Sequence, residues 1–415
     1  MPATVSPDYV YLDYAATAPL SEAAAEAMMP YLQPGPAHMA EAANPNSLHS
    51  PGRAAFATME RTRSAIARLL NAGRPDEIIF TASATEADNM AVLGIAHDAA
   101  RILDAHRRQQ RNAEGASATG EAFSFTPHVI TSAIEHDAVL APCKRLEREG
   151  FRVTYLRPDF DGFIDVRALE AAIDDDTVLV SVQMANSEIG SIQPVKQLAA
   201  CAHAHGALFH TDAVQALGKI PVDVRELDVD AASFSAHKVG GPKGVGALYL
   251  KARTPFDPYL LGGGQEQGRR SGTQNLCGIV GFGAALHAAC DGLEDAHARM
   301  MTQRDYLYGK LADMDPVQTT VDVDAGSMDY LPNIVSILVD GFESETLVLR
   351  LDALGYGVSG GSACSSQSLE PSHVLRALGK SDDEAHSALR ISFGCNMNRA
   401  TADGFLEAFA SVISR

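Results

Sequence analysis

The sequence is short of basic side chains. Across its 415 residues only 33 lysines and arginines face 52 aspartates and glutamates, a formal charge of −19 at pH 7. So acidic a chain repels polyanions, and broad electrostatic binding to nucleic acid or anionic lipid is not expected. Small ligands or protein partners are expected instead. Cysteine is sparse as well: Cys143, Cys201, Cys277, Cys290, Cys364 and Cys395 lie far apart. That spacing suits reduced thiols in a cytosol better than a disulfide framework. The opening "MPATVSPDYVYLDYAAT" lacks both a basic region and an apolar run long enough for secretion or membrane spanning. A cytoplasmic protein is the expectation. No internal repeat is found. What the chain does have is apolar mass: 46% hydrophobic and 20% charged residues allow a large core, and the length suggests two domains.

From about residue 75 to 250, short apolar stretches alternate with amphipathic ones. "DEIIFTA", "HVITSAI", "FRVTYL", "TVLVSVQ", "ALFHTDA", "AASFSA" and "GVGALYL" read as strands. "TEADNMAVLGIAHDAARIL", "HDAVLAPCKRLEREG", "DVRALEAAI" and "VKQLAACAHAHG" read as the helices between them. The alternation predicts an α/β fold with a mostly parallel wound sheet. The polar stretch near residues 106 to 126 reads as a surface insertion of low order without chemistry. Beyond residue 292 the pattern changes to a long helical segment, "NIVSILV", a helix from Glu343 and closing helices. A large domain over 21–292 is therefore expected. A smaller α+β domain would be built from 1–20 and 293–415, and would carry a loop at 357–368.

That loop, "GVSGGSACSSQS", sets Cys364 among glycines and serines. A structural cysteine would normally have apolar neighbours. The loop is either a solvated linker with an incidental thiol or a nucleophile on a mobile arm.

Ligands bind at the carboxyl ends of strands in such sheets, so polar residues there carry most weight. "FTASATEADN" puts Ser83, Ala84 and Thr85 at a strand-to-helix turn, where free N–H groups favour a phosphate, although a plain N-cap reads the same way. His136 follows another strand and could be a capping residue. Asp212 and Gln215 lie just beyond "ALFHT", and an aspartate there could equally cap a helix. "SFSAHKVGGPKGVG" supplies Ser235, His237 and Lys238, a lysine that taken alone could be a solvated charge. Together they describe a site for pyridoxal phosphate. That cofactor needs a lysine, a carboxylate for its ring nitrogen and a phosphate cradle.

The order "YLDYAATAP", "TASATEADN", "AIEHDAV", "MANSEIG", "HTDAVQALGK", "SFSAHKVGGPKGVGALY", "RRSGTQN", "SGGSACSS", "EPSHVLRALG" and "LRIS" resembles the cysteine desulfurases of the NifS/IscS type. These belong to the class-V aminotransferase family of fold-type I transferases. The resemblance spans nearly the whole chain. It implies that Lys238 holds the cofactor as a Schiff base, Asp212 partners the pyridine nitrogen and His136 stacks on the ring. Gln215 would bond the phenolic oxygen, while Ala84, Thr85, Ser235 and His237 would hold the phosphate. Thr273 of "RSGT" would reach the phosphate of the other protomer, which implies a homodimer. Asn186 and Arg390 would hold the carboxylate of L-cysteine, and Cys364 would be the catalytic cysteine, with His136 assisting its ionisation.

The activity implied is removal of sulfur from L-cysteine to give L-alanine and a persulfide on Cys364. The sulfur would pass to an acceptor such as an iron–sulfur scaffold. Selenocysteine lyase, or another class-V enzyme, is the alternative. Two features depart from the family: the insertion near 106–126, and the short run from Arg390 to Arg415 where family members often carry a longer scaffold-docking extension. "CAHAH" puts only Cys201 and His205 on one helical face, so no metal is expected. "GGGQEQGRR" is a weak nucleotide signal, and no dinucleotide is needed.

Overall fold

The computed structural model describes residues 6, 8–35, 38–113, 123–361 and 370–414, without the side chains of residues 40 and 41. The apolar runs become strands because their β-branched and aromatic residues fit a pleated surface covered on both faces. Ile78–Thr81, His128–Ser132 and Thr177–Ser181 are buried at every position. They belong to a seven-stranded sheet. Its order is Ile78–Thr81, Gly246–Leu250, Ala231–Ser235, Leu208–Asp212, Thr177–Ser181, His128–Ser132, Arg152–Leu156. All neighbouring pairs are parallel except those of Gly246–Leu250, which runs antiparallel to both its neighbours.

The register decides where the chemistry falls. Thr81 and Ser235 both pair with Gly246, so the strand-to-helix turn after Thr81 and the segment after Ser235 lie at one edge. The ends of Leu208–Asp212, Thr177–Ser181 and His128–Ser132 share that edge, because these strands run parallel to Ala231–Ser235. Apolar clusters cover the two faces of the sheet.

A second sheet of three antiparallel strands has the order Ala388–Ser392, Ile334–Val339, Val317–Thr319. It shares a separate apolar cluster with Leu293–Ala312, Ser344–Ala353 and Arg399–Ile413. The chain start joins this part: Val10–Tyr11 pairs in parallel with Tyr356–Gly357.

Contrary to the expected surface insertion of low order, the stretch near 106–126 is not wholly a loop, because helix Ala84–Ala113 continues through its first part. Alanine, arginine and glutamine are good helix formers, and Arg108 pairs with Asp104 one turn earlier at 2.6 Å. On the far side, Ser124 N donates to Asp104 Oδ1 at 2.7 Å and Phe123 packs edge-on against Phe151.

Candidate active site

The thirty-residue helix Ala84–Ala113 opens toward the shared edge of the sheet. Its first turn leaves backbone N–H groups without helical partners, and its dipole favours an anion there. Ser83 Oγ accepts from Glu86 N at 3.1 Å, so the serine caps while Ala84 and exposed Thr85 lead the helix. Strand Gly246–Leu250 presses close: a Cβ on Gly246 would meet Ser83 C and Ala84 N at 2.7 and 2.9 Å. It would also meet Phe234 O at 2.7 Å, so only glycine lets the turn before Ala84 and strand Ala231–Ser235 both lie so close to this strand.

Lys238 follows Ser235 through the short 3-10 turn Ala236–Lys238. Behind it, a Cβ on Gly241 would strike Ala236 O at 2.9 Å, so the chain turns back tightly there. The Lys238 amine donates to Ala15 O at 2.5 Å and Ala16 O at 2.8 Å. Its neighbour His237 has Nδ1 3.1 Å from Thr17 Oγ1. Burial first, and then Lys238, Lys243 and Lys219, push the His237 imidazole down to about 4. It is a neutral hydrogen-bonding group at ordinary pH.

Asp212 ends the central strand Leu208–Asp212, and its Oδ1 accepts from Val214 N at 2.9 Å. Burial raises its carboxyl above the usual range, while Val214 N, His136 and Lys238 pull it down. His136 caps helix Asp137–Arg148 through Nδ1, 3.0 Å from Ala138 N. The capping reading is therefore correct for this side chain, and its ring still lies within the electrostatic reach of Asp212. Gln215 Nε2 donates to Ala15 O at 3.0 Å, and its Oε1 is buried without a partner among the described residues.

Arg390 lies on strand Ala388–Ser392 of the smaller sheet and is 2% exposed. Its Nη1 donates to Ser187 O at 3.0 Å and its Nη2 to Asp13 Oδ1 at 2.7 Å, while Nε is buried with no partner among the described residues. Next to Ser187, the buried Asn186 uses both ends on its own surroundings. Its Nδ2 donates to Ile134 O at 3.1 Å, and its Oδ1 accepts from Glu188 N and Ile189 N. One amide N–H remains for a ligand. Thr273 is exposed, in a different setting from the buried residues above. Cys364 lies outside the described residues.

The sequence reading did not single out three groups. The first is the segment 12–18, a strap that joins the two sheets. Ser392 N donates to Leu12 O at 2.8 Å and Ala18 N to His237 O at 2.9 Å, so one short stretch touches Arg390, Gln215, His237 and Lys238. Its signal was "YLDYAAT", which local pattern cannot place against residues hundreds of positions away. The second is Lys219, 6% exposed, whose amine donates to Lys238 O at 3.1 Å. Burial, with Lys238 nearby, brings it down to about 7. The third is a pair of buried carboxyls under the edge. Burial pushes Glu135 up to about 8, and burial together with Asp212 holds Asp88 well above the usual range.

These donors fit pyridoxal phosphate. A lysine amine, a buried carboxylate at a strand end, a helix start opened by a glycine, and the unmatched Gln215 Oε1 supply the contacts it requires. No group of three or more histidine, cysteine or acidic side chains fit to hold a metal occurs among the described residues. No single helix there is long and apolar enough to cross a membrane.

Comparison with known proteins points to the same cofactor. The aminotransferase class-V family matches residues 10–105 and 116–405. A protein of Dictyoglomus turgidum named cysteine desulfurase IscS is 40% identical over 406 residues, covering 98% of this chain and 95% of its own. Among solved structures, a NifS-like protein superposes with a TM-score of 0.83 at 33% identity, covering 98% of this chain and 99% of its own. A structure described as SspA in complex with cysteine gives 0.73 at 33% identity, covering 93% and 99%. The chain belongs to the class-V aminotransferase family of pyridoxal-phosphate-dependent enzymes.

Proposed function

We propose that this protein is a cysteine desulfurase: it takes sulfur from L-cysteine, releases L-alanine and holds the sulfur as a persulfide on Cys364. The observation that carries this reading is the strap, which sets buried Arg390 and the Lys238 amine on one short stretch of backbone. The two groups suit the carboxylate and the amine of one amino acid. Similarity to proteins named cysteine desulfurase at about 40% identity supports the choice of cysteine.

Bound pyridoxal phosphate supplies an electron sink that weakens the substrate's Cα–H and Cβ–S bonds. Lys238 would hold it and would move a proton from Cα of the substrate. Asp212 would keep a proton on the ring nitrogen, and His136 would stack on the ring. Gln215 would offer its amide to the phenolic oxygen. Ala84 N, Thr85, Ser235 and neutral His237 would hold the phosphate. Arg390, through its unmatched Nε, and Asn186, through its remaining N–H, orient the substrate carboxylate. The Cys364 thiolate attacks the substrate sulfur. An S–S bond forms and the Cβ–S bond breaks; Cβ takes up the proton that the Cys364 thiol gave up and Cα regains its own, so thiol and cysteine become persulfide and alanine without an external oxidant.

A cytoplasmic homodimer is the working form in this reading. Thr273 of each protomer would reach the phosphate of the other, and exposed Tyr259, Leu260 and Leu261 beside its loop would supply apolar contact. Residues 21–292 form the cofactor-binding domain, and 1–20 with 293–415 the domain that carries Cys364. An iron–sulfur scaffold protein is the acceptor. The test is to incubate the loaded enzyme with L-cysteine, quench quickly, and measure alanine together with the mass of the Cys364 peptide. Alanine in step with one added sulfur is expected; neither product would overturn the reading.

A further inference from the structure

Arg390 carries five N–H donors in a fixed fork. One of its arms already meets a carboxylate, that of Asp13 at 2.7 Å, while the Nε edge is buried with no partner among the described residues. Asp13 is no loosely swinging partner. Tyr11 Oη lies 2.9 Å from Asp13 O and 3.0 Å from Thr17 O, and its single hydrogen, shared between the two carbonyls, braces the backbone there. Asp13 forms a parallel bridge with Ser392, and Ala15 N donates to Ser392 Oγ at 2.9 Å, two residues beyond Arg390 on its strand. The Asp13 side chain retains 19% exposure and that of Arg390 2%. The pair thus stands at the margin of the site, with the arginine inside.

The substrate and product of the proposed reaction carry the same carboxylate. An arginine without a counter-charge would hold both tightly, and binding that is uniform along a reaction coordinate adds nothing to turnover while it slows release. We propose that Asp13 is a specificity-determining and positioning residue: its carboxylate holds Arg390 in place and weakens that arginine's hold on the substrate and product carboxylates, so that alanine leaves. This rests on the reading of Arg390 as the carboxylate-binding group. It adds to that reading a negative charge that competes with every amino-acid carboxylate. Ligands lacking a carboxylate should not sense it.

Asp13→Asn keeps an oxygen for Nη2 and removes the charge. In the loaded enzyme, its KM for L-cysteine and its dissociation constant for L-alanine, read at equilibrium from the absorbance of the bound cofactor, should both fall on the order of tenfold, the factor a charge-assisted contact can carry. Binding of cysteamine, which has no carboxylate, should stay the same. Asp13→Ser should give the same sign, and it serves as the test if the asparagine variant does not fold. A purely structural aspartate would instead weaken all three ligands together. Alanine binding that is unchanged or weaker in the variants, while Arg390→Gln abolishes the preference for cysteine over cysteamine, would overturn the role of Asp13 and leave that of Arg390 standing. An Arg390→Gln enzyme that keeps the preference would overturn both.

Discussion

Glu266 takes both arms of Arg63, at 2.6 and 2.9 Å, with the two residues 7% and 4% exposed. The same carboxylate accepts from Phe80 N and Gln274 Nε2, each at 3.0 Å. Glu266 and Gln267 adopt φ of 50° and 59°, left-handed values that cost non-glycine residues energy. The buried pair offsets that strain and pins the loop that runs on to Thr273.

Glu266→Ala should therefore be severe, because it removes the buried bidentate partner of Arg63 and leaves only Glu60, 2.9 Å from Nε and partly exposed, to face that charge. A loss of about 3–5 kcal/mol in a urea titration is expected. Glu266→Gln, which keeps acceptor oxygen for part of the network, should lose less. Equal losses would show that the charge of this pair does not matter.

Three lysines compete for the cofactor by proximity: Lys238, buried Lys219 and exposed Lys243. Only Lys238 is both at the strand end and held against the strap. Borohydride reduction and peptide mapping should find the pyridoxyl group on Lys238, and Lys219→Met should leave that label in place. A label on Lys219 or Lys243 would move the site.

Cys364→Ser should still bind pyridoxal phosphate and L-cysteine, yet make almost no alanine. Other thiols are poor substitutes. Burial pushes Cys143 up to about 12 and raises Cys201, Cys277 and Cys290, which keeps them as unreactive thiols at neutral pH. Cys395 is exposed, so Cys395→Ser is the control and should retain activity. Normal alanine production by the Cys364 variant would sink the assignment.

Glu135 gives a pH test. Its Oε1 accepts from Ser132 Oγ at 2.5 Å and Gln183 N at 2.9 Å, and burial lifts the carboxyl from 4.5 to about 8. In that window the folded state keeps a proton that the unfolded state has lost, so this group's contribution to stability falls as pH rises from 4.5 to about 8. Glu135→Gln stays neutral throughout. The Tm of the variant relative to the unaltered protein should climb between about pH 5 and pH 8, whatever its starting offset. Lys219 has the opposite slope, but it is present in both proteins and cancels. A flat difference would mean that Glu135 ionises normally.

Several features were legible because they are local. Strands such as "HVITS" and "TVLVS" announce themselves through unbroken β-branched runs, and Ser83, His136 and Asp212 stand where strands end. The first part of the stretch near 106–126 escapes a local reading for the opposite reason. Its polarity suggested a loop, but helix propensity and the Asp104–Arg108 pair carry the helix to Ala113.

By itself, the sequence determined the alternation of strand and helix, the acidic surface, and the chemical types gathered at strand ends, since each depends on neighbours a few positions apart. Tertiary structure decided which of those residues meet. Parallel register put Asp212 and Ser235 at one edge with the Ala84 helix, and the strap laid Ala15 against Lys238 and Asp13 against Arg390, partners separated by 223 and 377 positions. Burial likewise pushed Lys219 down and Glu135 up. A side chain's charge in water follows from its type. Its charge in a core follows from what the rest of the chain has packed around it.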